Sequence, residues 1–191
     1  KPPKGWDVVA ARLAKSPNAE VRQLAQQLSL TFGSKTAMAA LRKVLTNGKA
    51  KLPERRKALA ALVAARDAKL PEVLRGLLRE KALRREALRG LGAFEDRKTP
   101  AAILKIFTKL NTAGKRDALT TLASRVSFAK ALMKALGSGA VKANELPADI
   151  VRQLRAHGVK EINAQLDKVW GVIRSTPEAK LKEIAKYKKL L

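Results

Sequence analysis

The sequence predicts an all-α protein, an α-solenoid of about twelve helices joined as hairpins by short connections. Three observations predict it. Apolar residues recur at i, i+3, i+4 and i+7, and no segment alternates as a half-buried strand would. Proline and glycine fall where helices start and stop. A basic-then-apolar phrase also returns at intervals of about thirty residues, the mark of stacked helical repeats.

Taken in order, Trp6 is read as a cap on the N-terminal end of the core. Ser16-Pro17 reads as an N-cap with proline at the first helical position. Asn47-Gly48 is a stop, and Pro53 lies at the next start. Leu59, Leu62, Val63 and Arg66 then follow helical spacing, with the series ending at solvent. Pro71 marks another start, and Thr99-Pro100 repeats the cap-and-proline pattern ahead of Ile103, Leu104, Phe107 and Leu110. Gly114, Gly137-Ser138-Gly139 and Gly158 read as stops or turns, Pro147 as a start, and Thr176-Pro177 as the last start.

The repeat is explicit in three phrases. Arg55, Ala58, Leu59 and Leu62 in "ERRKALAALVA" match Arg84, Ala87, Leu88 and Leu91 in "LRREALRGLGAF". They match again Lys115, Ala118, Leu119 and Leu122 in "GKRDALTTLAS". Looser copies surround Arg22 in "VRQLA" and Arg152 in "VRQLR". The five basic anchors step by 33, 29, 31 and 37 residues. A small alanine lets neighbouring helices approach, and the leucines one and four positions on pack between layers. One hairpin cannot bury its apolar face alone, so each needs the next.

Composition agrees. The chain is 46% hydrophobic but only 4% aromatic, so leucine and alanine must supply the core. The 191 residues suit one domain spanning 1–191, and the start at Lys1 suggests a fragment of a larger protein. With 41 Lys and Arg against 16 Asp and Glu, the net charge is +25. Successive stretches 1–50, 51–100, 101–150 and 151–191 carry 9, 14, 8 and 10 basic residues against 2, 7, 3 and 4 acidic ones. The excess therefore belongs to the whole body and not to a detachable tail. Such a charge favours polyanionic partners and says little about fold.

The phrases resemble HEAT repeats, whose helices carry a "VR..A...L" core much like "EVRQLAQQL". In order, "VRQLAQQLSLTFG", "LRREALRGL", "DALTTLASR" and "QLDKVWG" are similar to the HEAT-like segment of large planctomycete-type multidomain proteins. The likeness runs from Trp6 to Tyr187, and "KLKEIAKYKKLL" looks like the stretch just before the next domain. In that family the segment lies between a β-propeller and a c-type cytochrome. The resemblance implies a scaffold or spacer in an extracytoplasmic, periplasmic or secreted, haem-binding parent. It transfers no haem site to this chain, which has no cysteine and a single histidine.

Two classes of basic residue then separate. Arg22, Arg55, Arg84, Lys115 and Arg152 precede small or packing positions, which suits stems lying in the apolar seam. Arg56, Lys57, Arg85, Arg89, Arg116 and Arg125 are surplus to the seam and are the candidate polyanion-binding residues. Glu54, Glu86 and Asp117 could pair locally with some of them and weaken the field. Phosphate binding by such a face would be sequence-independent and salt-sensitive. Too few aromatics interleave with basic residues for single-strand stacking.

No catalytic, cofactor-binding or metal-binding residue is assigned, and no cofactor is expected in the chain. His157, before Gly158, reads as a helix-end cap. Glu95 and Asp96 are neighbours in a predicted loop and read as a turn and cap. Asp167 and Trp170 could be assembled into a base-processing pair, but packing is the better reading of the tryptophan. Gly137-Ser138-Gly139 lacks the lysine and strand of a phosphate loop. The final basic stretch, with Lys180, Lys182, Lys186, Lys188 and Lys189, reads as a helix leading into the next domain, and no apolar run is long enough to span a bilayer. The expected function is a non-enzymatic scaffold that links and orients neighbouring domains or docks a partner on a basic surface. Binding of duplex nucleic-acid backbone is the alternative, and a DNA glycosylase of HEAT-like architecture the more remote one.

Overall fold

The computed structural model describes residues 3–170, with side chains through residue 169. The described residues are all-helical, with eleven α-helices, two 3-10 turns and no strand. They are α1 (Trp6–Leu13), α2 (Ala19–Thr31), α3 (Lys35–Thr46), α4 (Leu52–Ala64), α5 (Leu70–Leu77) and α6 (Arg84–Leu91). Then come α7 (Thr99–Ile106), α8 (Thr112–Ala123), α9 (Val126–Gly137), α10 (Ala148–Ala156) and α11 (Lys160–Trp170). Thr176-Pro177 and the basic stretch beyond it lie outside the described residues.

Most starts and stops follow the local chemistry, shifted by a residue or two. Ser16-Pro17 does not open α2: Asn18 is the cap, accepting from the Glu20 amide at 2.8 Å, while Ser16 accepts from Asn18 N at 3.2 Å. Pro53, Pro71 and Pro100 each occupy the second helical position, where the missing amide proton is not needed. Pro147 is itself the N-cap residue of α10. Gly114 is no stop. It sits in the first turn of α8, where its amide donates to the Asn111 cap at 2.9 Å. Arg66 follows the end of α4 at φ 52, the left-handed region, with Asp67 N closing on Leu62 O at 3.1 Å. That bond satisfies a carbonyl the helix end leaves free.

One core runs from Leu41 to Leu166 among the described residues and is built mainly of leucine and alanine. The matched repeat positions all belong to it: Ala58, Leu59 and Leu62; Ala87, Leu88 and Leu91; Ala118, Leu119 and Leu122. Helix contacts alternate. α3 packs on α5, α5 on α7, α7 on α9 and α9 on α11; α4 packs on α6, α6 on α8 and α8 on α10. Side-chain hydrogen bonds keep the same register. Thr121 Oγ1 donates to Leu88 O at 2.7 Å across 33 residues, and Gln165 Nε2 to Met133 O at 2.8 Å across 32.

Candidate polyanion-binding surface

Three of the five anchor cations of the repeat, Arg22, Arg55 and Arg84, are held against backbone carbonyls. Arg55 is buried in α4, with Nε donating to Leu45 O at 2.8 Å and both terminal nitrogens to Glu80 at 2.5 and 2.7 Å. Arg84 Nε donates to Leu78 O at 2.7 Å and Nη2 to Arg79 O at 3.3 Å, closing the α5–α6 corner. Lys115 pairs with Glu145 and lies over the Phe107 ring, 5.5 Å from its centroid. Arg22 turns back to Ser16 O and Pro17 O, and Arg152 is exposed.

Five of the six surplus cations make ion pairs, and the partners lie about one repeat along the chain rather than nearby. Arg56 pairs with Glu86 at 2.8 Å, Arg85 with Asp117 at 2.6 Å, and Arg116 with Asp149 at 2.7 Å. Arg89 joins Asp117 at 3.1 Å, so one carboxylate holds two guanidinium groups. These contacts tie α4 to α6, α6 to α8 and α8 to α10 in a ladder. Arg125 stands apart at the N-cap of α9, reaching back to Glu95 at 3.1 Å and Gly92 O at 2.6 Å. Lys57 makes no ion pair among the described residues. It stands where the next two repeats carry Glu86 and Asp117, so the ladder begins at its position. Glu54 pairs with none of the six.

Electrostatics follow the pairing. The hydrogen bond to Asp117, reinforced by its charge, raises Arg85 above its ordinary range. The Arg55 hydrogen bond holds Glu80 below the usual carboxylate range, and Lys115 does the same for Glu145. Glu95 is lowered by Ser127 first and Arg125 second. Burial pushes Asp96 up, but hydrogen bonds from Thr99 and Arg75 together outweigh it and leave it lowered. Glu95 and Asp96, neighbours in sequence, therefore serve different helices. His157 ends α10, and its Nε2 lies 2.8 Å from Ala123 O, the last carbonyl of α8. It thus serves the end of a neighbouring helix. Trp6 Nε1 donates to Ser29 at 3.0 Å, and its ring meets Phe32 edge-on with 5.1 Å between centroids.

A second group of cations, most of them without carboxylate partners, lies elsewhere. A groove of about 460 Å³ lies between α5 and α7. Arg75, Arg79, Arg84, Lys105 and Lys109 line it, with Leu78, Ala102 and Ile106 as its apolar part and no carboxylate. Arg75 pairs with Asp96 outside the groove lining; Arg79, Lys105 and Lys109 make no ion pair among the described residues. On the other flank of α7 a cleft of about 440 Å³ against α9 carries Arg97 and Lys134 over Pro100, Leu104 and Phe128. Sequence reasoning missed both, although a signal existed: residues 97–144 contain ten basic side chains and one acid, Asp117.

No helix among the described residues is long and apolar enough to cross a membrane, and no cluster of three metal-ligating side chains occurs among them. Comparison of the chain with protein families, with curated proteins and with solved structures finds no match.

Proposed function

We propose that the chain is a non-enzymatic scaffold, an α-solenoid of HEAT-like hairpins that links and orients neighbouring domains or docks a partner on a basic surface. The observation that carries this reading is the one-repeat register of its tertiary bonds. Arg56–Glu86, Arg85–Asp117 and Arg116–Asp149 span 30, 32 and 33 residues and join every second helix. The alternating packing of α3 through α11 supports the same reading, because each helix meets its counterpart in the next hairpin. Titratable side chains are spent on holding helices together: His157 on a carbonyl, Glu80 on Arg55, Asp96 on Arg75 and Thr99.

A scaffold must keep its two ends at a fixed separation. The chain has no cysteine, so Lys35→Cys in α3 and Lys168→Cys in α11 accept spin labels at two exposed sites only. The expected result is one narrow interlabel distance, unchanged when a folded domain is fused to either end. A broad or fusion-dependent distribution would overturn the scaffold reading.

A further inference from the structure

We propose that the α5–α7 groove binds the phosphate backbone of duplex nucleic acid without sequence preference. The groove concentrates like charge: five cations surround about 460 Å³ with no carboxylate in the lining, and of the five only Arg75 has a carboxylate partner, Asp96. Arg84 is fixed through Nε and Nη2 by the carbonyls of Leu78 and Arg79, which leaves Nη1 to donate to a ligand. A guanidinium held in this way loses little freedom when it takes a phosphate oxygen.

The occupant is extended. Arg97 and Lys134 add positive charge in the cleft on the other flank of α7, against α9, again without ion pairs among the described residues. Packed helices lie about 8–10 Å apart, so cations on α5, α7 and α9 cover roughly 20 Å. Over that length a duplex carries on the order of ten phosphates. A single phosphate or a short anionic ligand would leave most of this charge unneutralised. Single strands are disfavoured because the apolar part of the groove is Leu78, Ala102 and Ile106, with no aromatic platform for bases. An anionic bilayer is disfavoured because the exposed large apolar residues among the described ones, Val8, Val9, Leu24, Leu28 and Val44, belong to α1, α2 and α3 and not to this face.

The test is a titration of the full chain into a labelled DNA duplex of random sequence, read by anisotropy at several salt concentrations. Arg79→Glu/Lys105→Glu/Lys109→Glu is compared with Lys43→Glu/Lys49→Glu/Lys51→Glu, which changes net charge equally away from the groove. Circular dichroism confirms that both fold; Lys105→Gln/Lys109→Gln replaces the groove triple if its helicity drops. The wild-type chain should bind with affinity falling linearly in log salt. The groove variant should lose at least about tenfold in affinity and about one unit of salt slope per cation that contacts phosphate. The control should lose several-fold less. Absence of binding at low salt, or equal losses in the two triples, would overturn the proposal. Displacement of the duplex by polyglutamate as readily as by unlabelled duplex would also overturn it and reassign the groove to acidic proteins.

Discussion

Arg55 and Glu80 form a two-pronged ion pair in which the arginine is nearly buried, with 7% of its side chain exposed, and the glutamate half-exposed at 36%. Arg55 also caps the end of α3 through Leu45 O. The partners are unequal, so the two deletions should differ. Arg55→Ala strands a carbonyl, leaves a cavity and unpairs Glu80, at a cost of about 3–5 kcal/mol. Glu80→Gln keeps hydrogen-bonding capacity beside solvent but leaves the buried Arg55 charge without its counterion, and should cost about 1–3 kcal/mol. Arg55→Lys cannot reach all three acceptors and should fall between them. Urea unfolding of the three variants checks the order; equal losses would mean that the charge pair, and not the cap, dominates.

The ladder makes a weaker contribution, and one that salt should erode. Arg85 and Arg89 are about half-exposed, 48% and 58%, around an Asp117 only 14% exposed. Each arginine should couple to Asp117 by about 0.2–1 kcal/mol in a double-mutant cycle at low salt. Asp117→Asn removes both partners at once and should exceed either arginine deletion. Cycles measured in low and high salt check this, with the coupling shrinking as the Debye length shortens. A coupling unchanged by salt would show that the rungs are drier than their exposure indicates.

Glu80, Asp96, Glu145 and Glu95 are all held below their ordinary range. A carboxylate lowered in the folded state releases its proton more readily there than in the unfolded chain. Its stabilising contribution is therefore complete above the unfolded value, roughly pH 4 to 4.5, and is lost as pH falls through the folded one. Stability should be level from neutral pH down to about pH 5 and then decline, steepened by repulsion in a chain already carrying +25. Urea midpoints across this range test it, and Asp96→Asn with Glu145→Gln should flatten the acid limb.

The repeated phrase made much of the core legible. Arg84, Ala87, Leu88 and Leu91 are spaced as a stacking helix requires, and burial of the three apolar members follows from that spacing. The partners of Arg85 and Arg116 were not legible. Each lies in the next repeat, and a pairing across 32 or 33 residues depends on a register that local spacing does not fix. Gly114 was misread because glycine serves both a helix end and a tight first turn. The α5–α7 groove escaped for a related reason. Lys105 and Lys109 carry no repeated motif, and the groove exists only once α5 and α7, separated in sequence by α6, meet.

Gly90 tests how closely α6 packs on α5 and α4. It is buried in α6, and a Cβ built there would lie 3.1 Å from a Leu74 methyl and 3.4 Å from one of Val63. Both neighbours are side-chain ends, so a single methyl can be accommodated by small shifts. The helix gains up to about 1 kcal/mol from replacing glycine, which offsets the crowding. Gly90→Ala should therefore change stability little. Gly90→Val adds further carbons and a stiff branch against α4 and α5, and should cost about 1–3 kcal/mol through overpacking. Thermal and urea unfolding of the pair distinguish the terms. If Gly90→Val were as stable as Gly90→Ala, the packing of α6 on α5 and α4 would have to be looser than these distances require.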